Sequence, residues 1–189
     1  MEATNPKVGR ILCATDLSNK SAVTYRYAIQ KAHENNANVL VCHVISQRSI
    51  KAAKKVAYFL NETRKDIVKE KTYSALQRME EQLSAFFKKE IKDQPEYANP
   101  VEHLLVYHGN VAEELVEKAN RFGCDAIVLG AHSNSLLTRI FSGGTAQKIL
   151  KQTHKPVFRV SLKKGKMNIT TYNKDSSHKD VPEDCHVSN

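Results

Sequence analysis

Residues 126–152, AIVLGAHSNSLLTRIFSGGTAQKILKQ, decide the fold. The run Ala126–Leu129 is apolar and strand-like, and it ends on the small residues Gly130 and Ala131. A glycine-bearing loop follows, Ser142-Gly143-Gly144-Thr145, and then a segment with helical composition from about Gly144 to Gln152. A strand, a glycine-rich turn and a helix start make an anion site from backbone alone. Free N–H groups and the positive end of the helix dipole meet there, and glycine lets the backbone approach without a Cβ in the way. Such a loop belongs at the C-terminal edge of an open parallel sheet, where α/β proteins place their ligands.

The flanking sequence repeats the alternation of strand and helix. Val8–Ala14 (VGRILCA) reads as a buried strand, broken by Thr15-Asp16-Leu17-Ser18. Ser18 has the chemistry of an N-cap for a helix running to about Glu34, whose apolar positions Ala22, Tyr25, Ala28, Ile29 and Ala32 recur at three- and four-residue steps. Asn35-Asn36 is a stop signal. Val39–Ile45 is a second strand, continuous in apolar residues, which predicts burial on both faces. Lys51 to about Ile91 is helical in composition, with a break predicted near Asn61 or Thr72, and Leu76, Met79, Leu83, Phe86, Phe87 and Ile91 form its apolar stripe. His103–Tyr107 is a third strand. Asn110 caps a helix over Val111–Phe122, Gly123 fits its C′ position, and Asp125–Gly130 and Pro156–Leu162 complete the strands. The order β-α-β-α-β-α-β-α-β predicts an α/β fold with helices on both faces of a parallel sheet. One domain over residues 1–162 and a polar, disordered tail over 163–189 are expected.

Composition narrows the function. No apolar run approaches the roughly 20 residues of a membrane span, and Met1–Lys7 has no apolar signal-peptide core, so a cytoplasmic protein is predicted. The cysteines Cys13, Cys42, Cys124 and Cys185 form no CxxC pair and read as reduced thiols. The net charge of +9 raises nucleic-acid binding. Between Arg48 and Lys92, however, twelve Lys/Arg stand against six Asp/Glu on what reads as a long helix, the pattern of a solvated face. No basic strand interleaved with aromatics and no helix-turn-helix spacing occurs, and nucleic acid is not the predicted partner.

Three positions at predicted strand ends can serve a ligand. Asp16 can accept a hydrogen bond from a ribose hydroxyl or an adenine amine, or simply assist the helix start beside Ser18. Val44 can offer main-chain groups to a planar base, or be core. The loop from Gly130 to Thr145 can hold phosphate. Its Ser-Gly-Gly follows the fourth strand and continues Thr-Ala, which rules out the nucleotide-adenylating pyrophosphatases, where it follows the first strand and continues Asp-Ser. His43, His108 and His132 come from different strand ends without paired ligand spacing, so no metal is assigned. No nucleophile with its base can be defended, and no catalytic residue is assigned.

Four segments taken in order resemble the universal stress protein family: ILCATDLSNKSAVTYRYAIQKA, VLVCHVI, VYHGNVAEELVEKANRFGCDAIVLGAHS and GGTAQKILKQTHKPVFRV. Together they span about residues 8–162. The resemblance implies a Rossmann-like, adenine nucleotide alpha hydrolase-like fold with five parallel strands in the order 3-2-1-4-5. It also implies a homodimer paired through Val157–Leu162, an apolar strand that would otherwise be left as an open edge. Nucleotide-binding members carry Gly-x-x-Gly, nine residues, then Gly-Ser or Gly-Thr. Here Gly130 and Gly143 match, Ser133 replaces the second glycine, and Gly144 stands where the hydroxyl belongs, with Thr145 one place late. The implied site is Thr15, Asp16 and Val44 around adenosine, with Gly130, His132, Ser133, Gly143, Gly144 and Thr145 around the phosphates of ATP, ADP or AMP, with magnesium. The alternative is a nucleotide-free dimeric module that binds a protein partner.

Overall fold

A computed structural model describes residues 8–18, 20–47, 51, 65–92, 94–131, 144–163 and 166–172. Six strands form one sheet: β1 (Arg10–Thr15), β2 (Asn38–Ser46), β3 (Val101–Gly109), β4 (Ala126–Ala131), β5 (Val157–Lys163) and β6 (Lys166–Tyr172). The helices are α1 (Ser21–Asn35), α2 (Lys65–Ile91), α3 (Val111–Arg121) and α4 (Thr145–Gln152), with a short 3₁₀ turn over Pro95–Ala98. The strand order is β3-β2-β1-β4-β5-β6.

The continuous apolar runs follow from two-sided burial. Successive β1 side chains alternate between two core layers. Ile11 and Cys13 join Tyr25, Ile29, Val39, Val41, Leu83 and Val128 beneath α1 and α2. Leu12 and Ala14 join Leu40, Cys42, Leu115, Ile127, Leu129 and Ile149 beneath α3 and α4. The backbone of β1 is parallel-paired to β2 on one edge and to β4 on the other. At the opposite end from the candidate site, the Asp125 carboxylate accepts from the Gly9 and Arg10 amides at 2.8 and 3.0 Å. The Arg10 guanidinium forks onto Glu102 at 2.9 and 3.0 Å and donates to the Phe122 carbonyl.

The helix stops predicted from sequence are present. Asn36 sits in the left-handed region at φ 51° and closes α1. Asn110 accepts from the Ala112 amide and opens α3, and Gly123 follows that helix at φ 61°. Three expectations change. First, α1 begins at Ser21, and Ser18 does not cap it; Ser18 belongs to a turn built on Asp16, and no side-chain oxygen caps the helix. Second, α2 passes through Thr72 without interruption; Asn61 lies outside the described residues.

Third, the sheet has six strands. Lys166–Tyr172 forms β6, antiparallel to β5 along the whole register from Val157↔Tyr172 to Lys163↔Lys166. This part of the polar tail folds because its alternation fits the pleat: Ile169 is buried and Met167 packs with it in the α1 layer, while Tyr172 packs in the other. Residues 173–189 lie outside the described residues. The outer edge of β5 is therefore bonded to its own chain, and a second copy reaches Val157–Leu162 only by displacing β6. Truncating Ile169→Ala is expected to cost about 2 kcal/mol, the low end for a core isoleucine because it lies in the last strand. Chemical denaturation measures this, and unchanged stability would mean that β6 is not docked.

Candidate functional site

The turn between β1 and α1 is built by side chains. Thr15, the last residue of β1, is 5 % exposed and its hydroxyl accepts from the Leu17 amide at 3.0 Å. Leu17 is held at φ 62°, where a branched residue is rare. Asp16 Oδ1 accepts from the Ser18 amide at 3.0 Å and from the Ser21 hydroxyl through a short hydrogen bond. The Ser21 oxygen in turn accepts from the Asp16 amide at 3.3 Å. Asp16 is thus bonded by its carboxylate and its amide to the first turn of α1.

This turn stands at the switch point of the sheet. The connection after β1 crosses one face through α1, whereas α3 and α4 cover the other. The β1–β4 register ends at the Ala14↔Leu129 pair, and beyond the C-terminal ends of two such strands lies the crevice where open α/β sheets bind ligands. Gly130 is buried near the C-terminal end of β4, paired to Val160 of β5. Gly144 precedes α4, and Thr145 at its first position is 7 % exposed. Gly144 has φ −77° and ψ −46°, and a Cβ built on it meets nothing within 4 Å among the described residues. Neither conformation nor space demands glycine there, so its replacement of a hydroxyl residue has no backbone reason.

Val44 lies at the end of β2, opposite Tyr107, with its side chain in the α3 layer, so only its backbone remains to meet a ligand. His132, Ser133 and Gly143 fall outside the described residues. Of the histidines weighed for a metal, His43 faces Thr15 across β1 and β2, whereas His108 is exposed on β3. No three His, Cys, Asp or Glu side chains converge among the described residues. Sequence reading missed Ser21, which holds Asp16, and the role of His43. An i, i+5 Asp–Ser pair flanking a helix start is the signal for the first; the second needs strand register.

The thiols of the sheet are poor nucleophiles. Burial pushes Cys13 and Cys42 up to about 12 and Cys124 up to about 11. Neighbouring Cys42 adds to the effect at Cys13, and at Cys42 burial outweighs the Lys118 ammonium. The thiolate, the reactive form, is therefore scarce at pH 8 in all three. In a chain carrying Cys185→Ser, labelling by a thiol reagent at pH 8 should therefore track unfolding, and rapid labelling of the native chain would contradict the burial.

Comparison with known proteins points one way. The profile of the universal stress protein family matches residues 7–161. A universal stress protein of Methanocaldococcus jannaschii, MJ0577, is 28% identical over 167 residues, covering 82% of this chain and 95% of that protein. Its structure superposes with a TM-score of 0.55 at 27% identity, over 83% of this chain and 98% of the other. A second protein of that organism, MJ0531, is 27% identical over 155 residues, covering 82% of this chain and 83% of its own length. A universal stress protein solved in complex with cAMP shares the fold, with a TM-score of 0.50 at 17% identity over 80% of this chain and 94% of that one. No helix among the described residues is long and apolar enough to cross a membrane.

Proposed function

Since the chain belongs to the universal stress protein family, we propose that it binds an adenine nucleotide in the crevice between β1 and β4 and acts as a nucleotide-responsive regulatory module in stress. The observation that carries this reading is Asp16, placed at the end of β1 and anchored through its carboxylate and amide by Ser18 and Ser21. A fixed carboxylate at a switch point suits a ribose hydroxyl. Across the crevice, the first N–H groups of α4 and the buried Thr145 hydroxyl suit a phosphate. The cAMP complex of a relative supports adenine nucleotide as the ligand class.

Thr15, Asp16 and the Val44 backbone would frame adenosine, with Gly130, His132, Ser133, Gly143, Gly144 and Thr145 around the phosphates. Magnesium would arrive with the phosphate oxygens of ATP or ADP, as it does where the protein supplies few ligands. No side chain of the described site stands as a general base, so hydrolysis is expected to be slow. The second reading, a nucleotide-free module for a protein partner, draws support from Gly144, which gives up a hydroxyl without any backbone need for glycine.

The test is to denature freshly purified protein, identify any released nucleotide by chromatography, and titrate ATP and AMP into the stripped chain. Bound or released adenine nucleotide is expected, and Asp16→Ala should weaken binding about 10- to 100-fold, the worth of one charge-assisted hydrogen bond. Gly144→Ser fits without strain and should tighten ATP binding about tenfold by restoring the hydroxyl. No release and no binding at millimolar ATP would leave the interaction module as the account.

A further inference from the structure

His43 is half-buried near the end of β2, in register with Thr15 of β1 and Val106 of β3. Its Nδ1 lies 2.8 Å from the Thr15 carbonyl oxygen. A carbonyl oxygen only accepts, so Nδ1 carries the proton. Burial holds the imidazole below its ordinary value, against the opposite pull of the Thr15 carbonyl and the Asp16 carboxylate. The ring is neutral at neutral pH, and the Nδ1–H tautomer is the one present.

The Thr15 carbonyl and the Asp16 amide belong to one peptide group, and that group is planar. Its two polar atoms point in opposite directions, and each is held by a side chain from a different element. The carbonyl accepts from His43 of β2 at 2.8 Å, and the amide donates to Ser21 of α1 at 3.3 Å. A plane held at both ends cannot rotate, and its rotation is the motion that would swing the Asp16 side chain away from the crevice. Immediately beyond it the chain enters the left-handed region at Leu17, so without the clamp that turn would relax toward commoner dihedrals.

We infer that His43 is a positioning residue: with Ser21 it clamps the Thr15–Asp16 peptide and thereby sets where the Asp16 carboxylate meets a ribose. The specificity part of this assignment rests on the nucleotide reading above; the clamp itself does not. Its consequence is discrimination by sugar. A carboxylate fixed against the ribose favours a nucleotide with both hydroxyls over its 2′-deoxy counterpart, and a carboxylate free to swing does not.

The experiment compares the full chain with His43→Leu, which removes the donor, and His43→Asn, whose side-chain amide restores an N–H near the Nδ1 position. Two quantities are read: hydrogen exchange of the Asp16 amide, and the affinities for AMP and 2′-deoxy-AMP by calorimetry. His43→Leu should speed Asp16 exchange at least tenfold at unchanged exchange of the β4 amides. It should also weaken AMP about tenfold, bringing its affinity close to that of the deoxynucleotide. His43→Asn should recover most of both losses. Unchanged Asp16 exchange in His43→Leu overturns the clamp, and an unchanged AMP to deoxy-AMP ratio overturns the specificity role. Faster Asp16 exchange in a protein that binds neither nucleotide would uphold the clamp and reject the nucleotide reading alone. If His43→Leu does not fold, His43→Val, which also lacks a donor and suits a strand, takes its place under the same criteria.

Discussion

Strand β1 is dry on all four sides, and the rest of the molecule is arranged around that constraint. Its N–H and C=O groups are taken by β2 and β4, and its side chains enter two apolar layers. A strand so enclosed has no place for unpaired polar chemistry along its length, because each unpaired group would cost about 1–3 kcal/mol. Polar function can begin only where the strand ends. Thr15 is still buried, Asp16 is only partly so, and the change happens at the point where α1 departs over one face and β4 leads to the other.

The turn at that point is locally unfavourable and is over-determined by its neighbours. A left-handed residue other than glycine costs roughly 1–2 kcal/mol, and Leu17 is β-unbranched but bulky. Against this stand the Leu17 amide on the Thr15 hydroxyl and the Ser18 amide on the Asp16 carboxylate. The Ser21 and His43 side chains hold the adjoining peptide. Hydrogen bonds to a charged group contribute about 1.5–3 kcal/mol each, and neutral ones about 1. The sum favours the strained form. Strain of this kind, observed rather than assumed, is the physical ground for treating the turn as a site.

Much of this was legible in the sequence, for identifiable reasons. Strands buried on two faces must be continuously apolar, so Ile11–Ala14, Val39–Cys42 and Ala126–Leu129 declared themselves, and the alternation with helices dictated a parallel sheet. Helix stops at Asn36 and Gly123 were legible because a left-handed backbone selects Asn and Gly. Asp16 stands out in the sequence because it follows a strand that ends. The start of α1 was misplaced because Ser18 has capping chemistry; its amide is instead held by the Asp16 carboxylate, and the helix begins at Ser21 with no side-chain cap. His43 was hidden inside an apolar run; only cross-strand register brings its ring to the Thr15 carbonyl. Strand β6 was hidden in a tail whose composition is polar overall, where the buried Ile169 and the partly buried Met167 outweigh the average.

That last strand changes how the sheet ends. An apolar edge such as β5 needs a cover, because open N–H and C=O groups template pairing with another chain. Here β6 supplies it from the same chain, with Ile169 seated in the α1 layer to fix the register; a one-residue slip would turn that side chain to the other face. The return strand pairs Lys163 directly with Lys166 at the turn end of the ladder. The seven-residue ladder and the buried Ile169 hold the hairpin together. Because β5 runs parallel to β4, both lysines stand at the C-terminal end of the sheet, the end that also carries Asp16 and the start of α4.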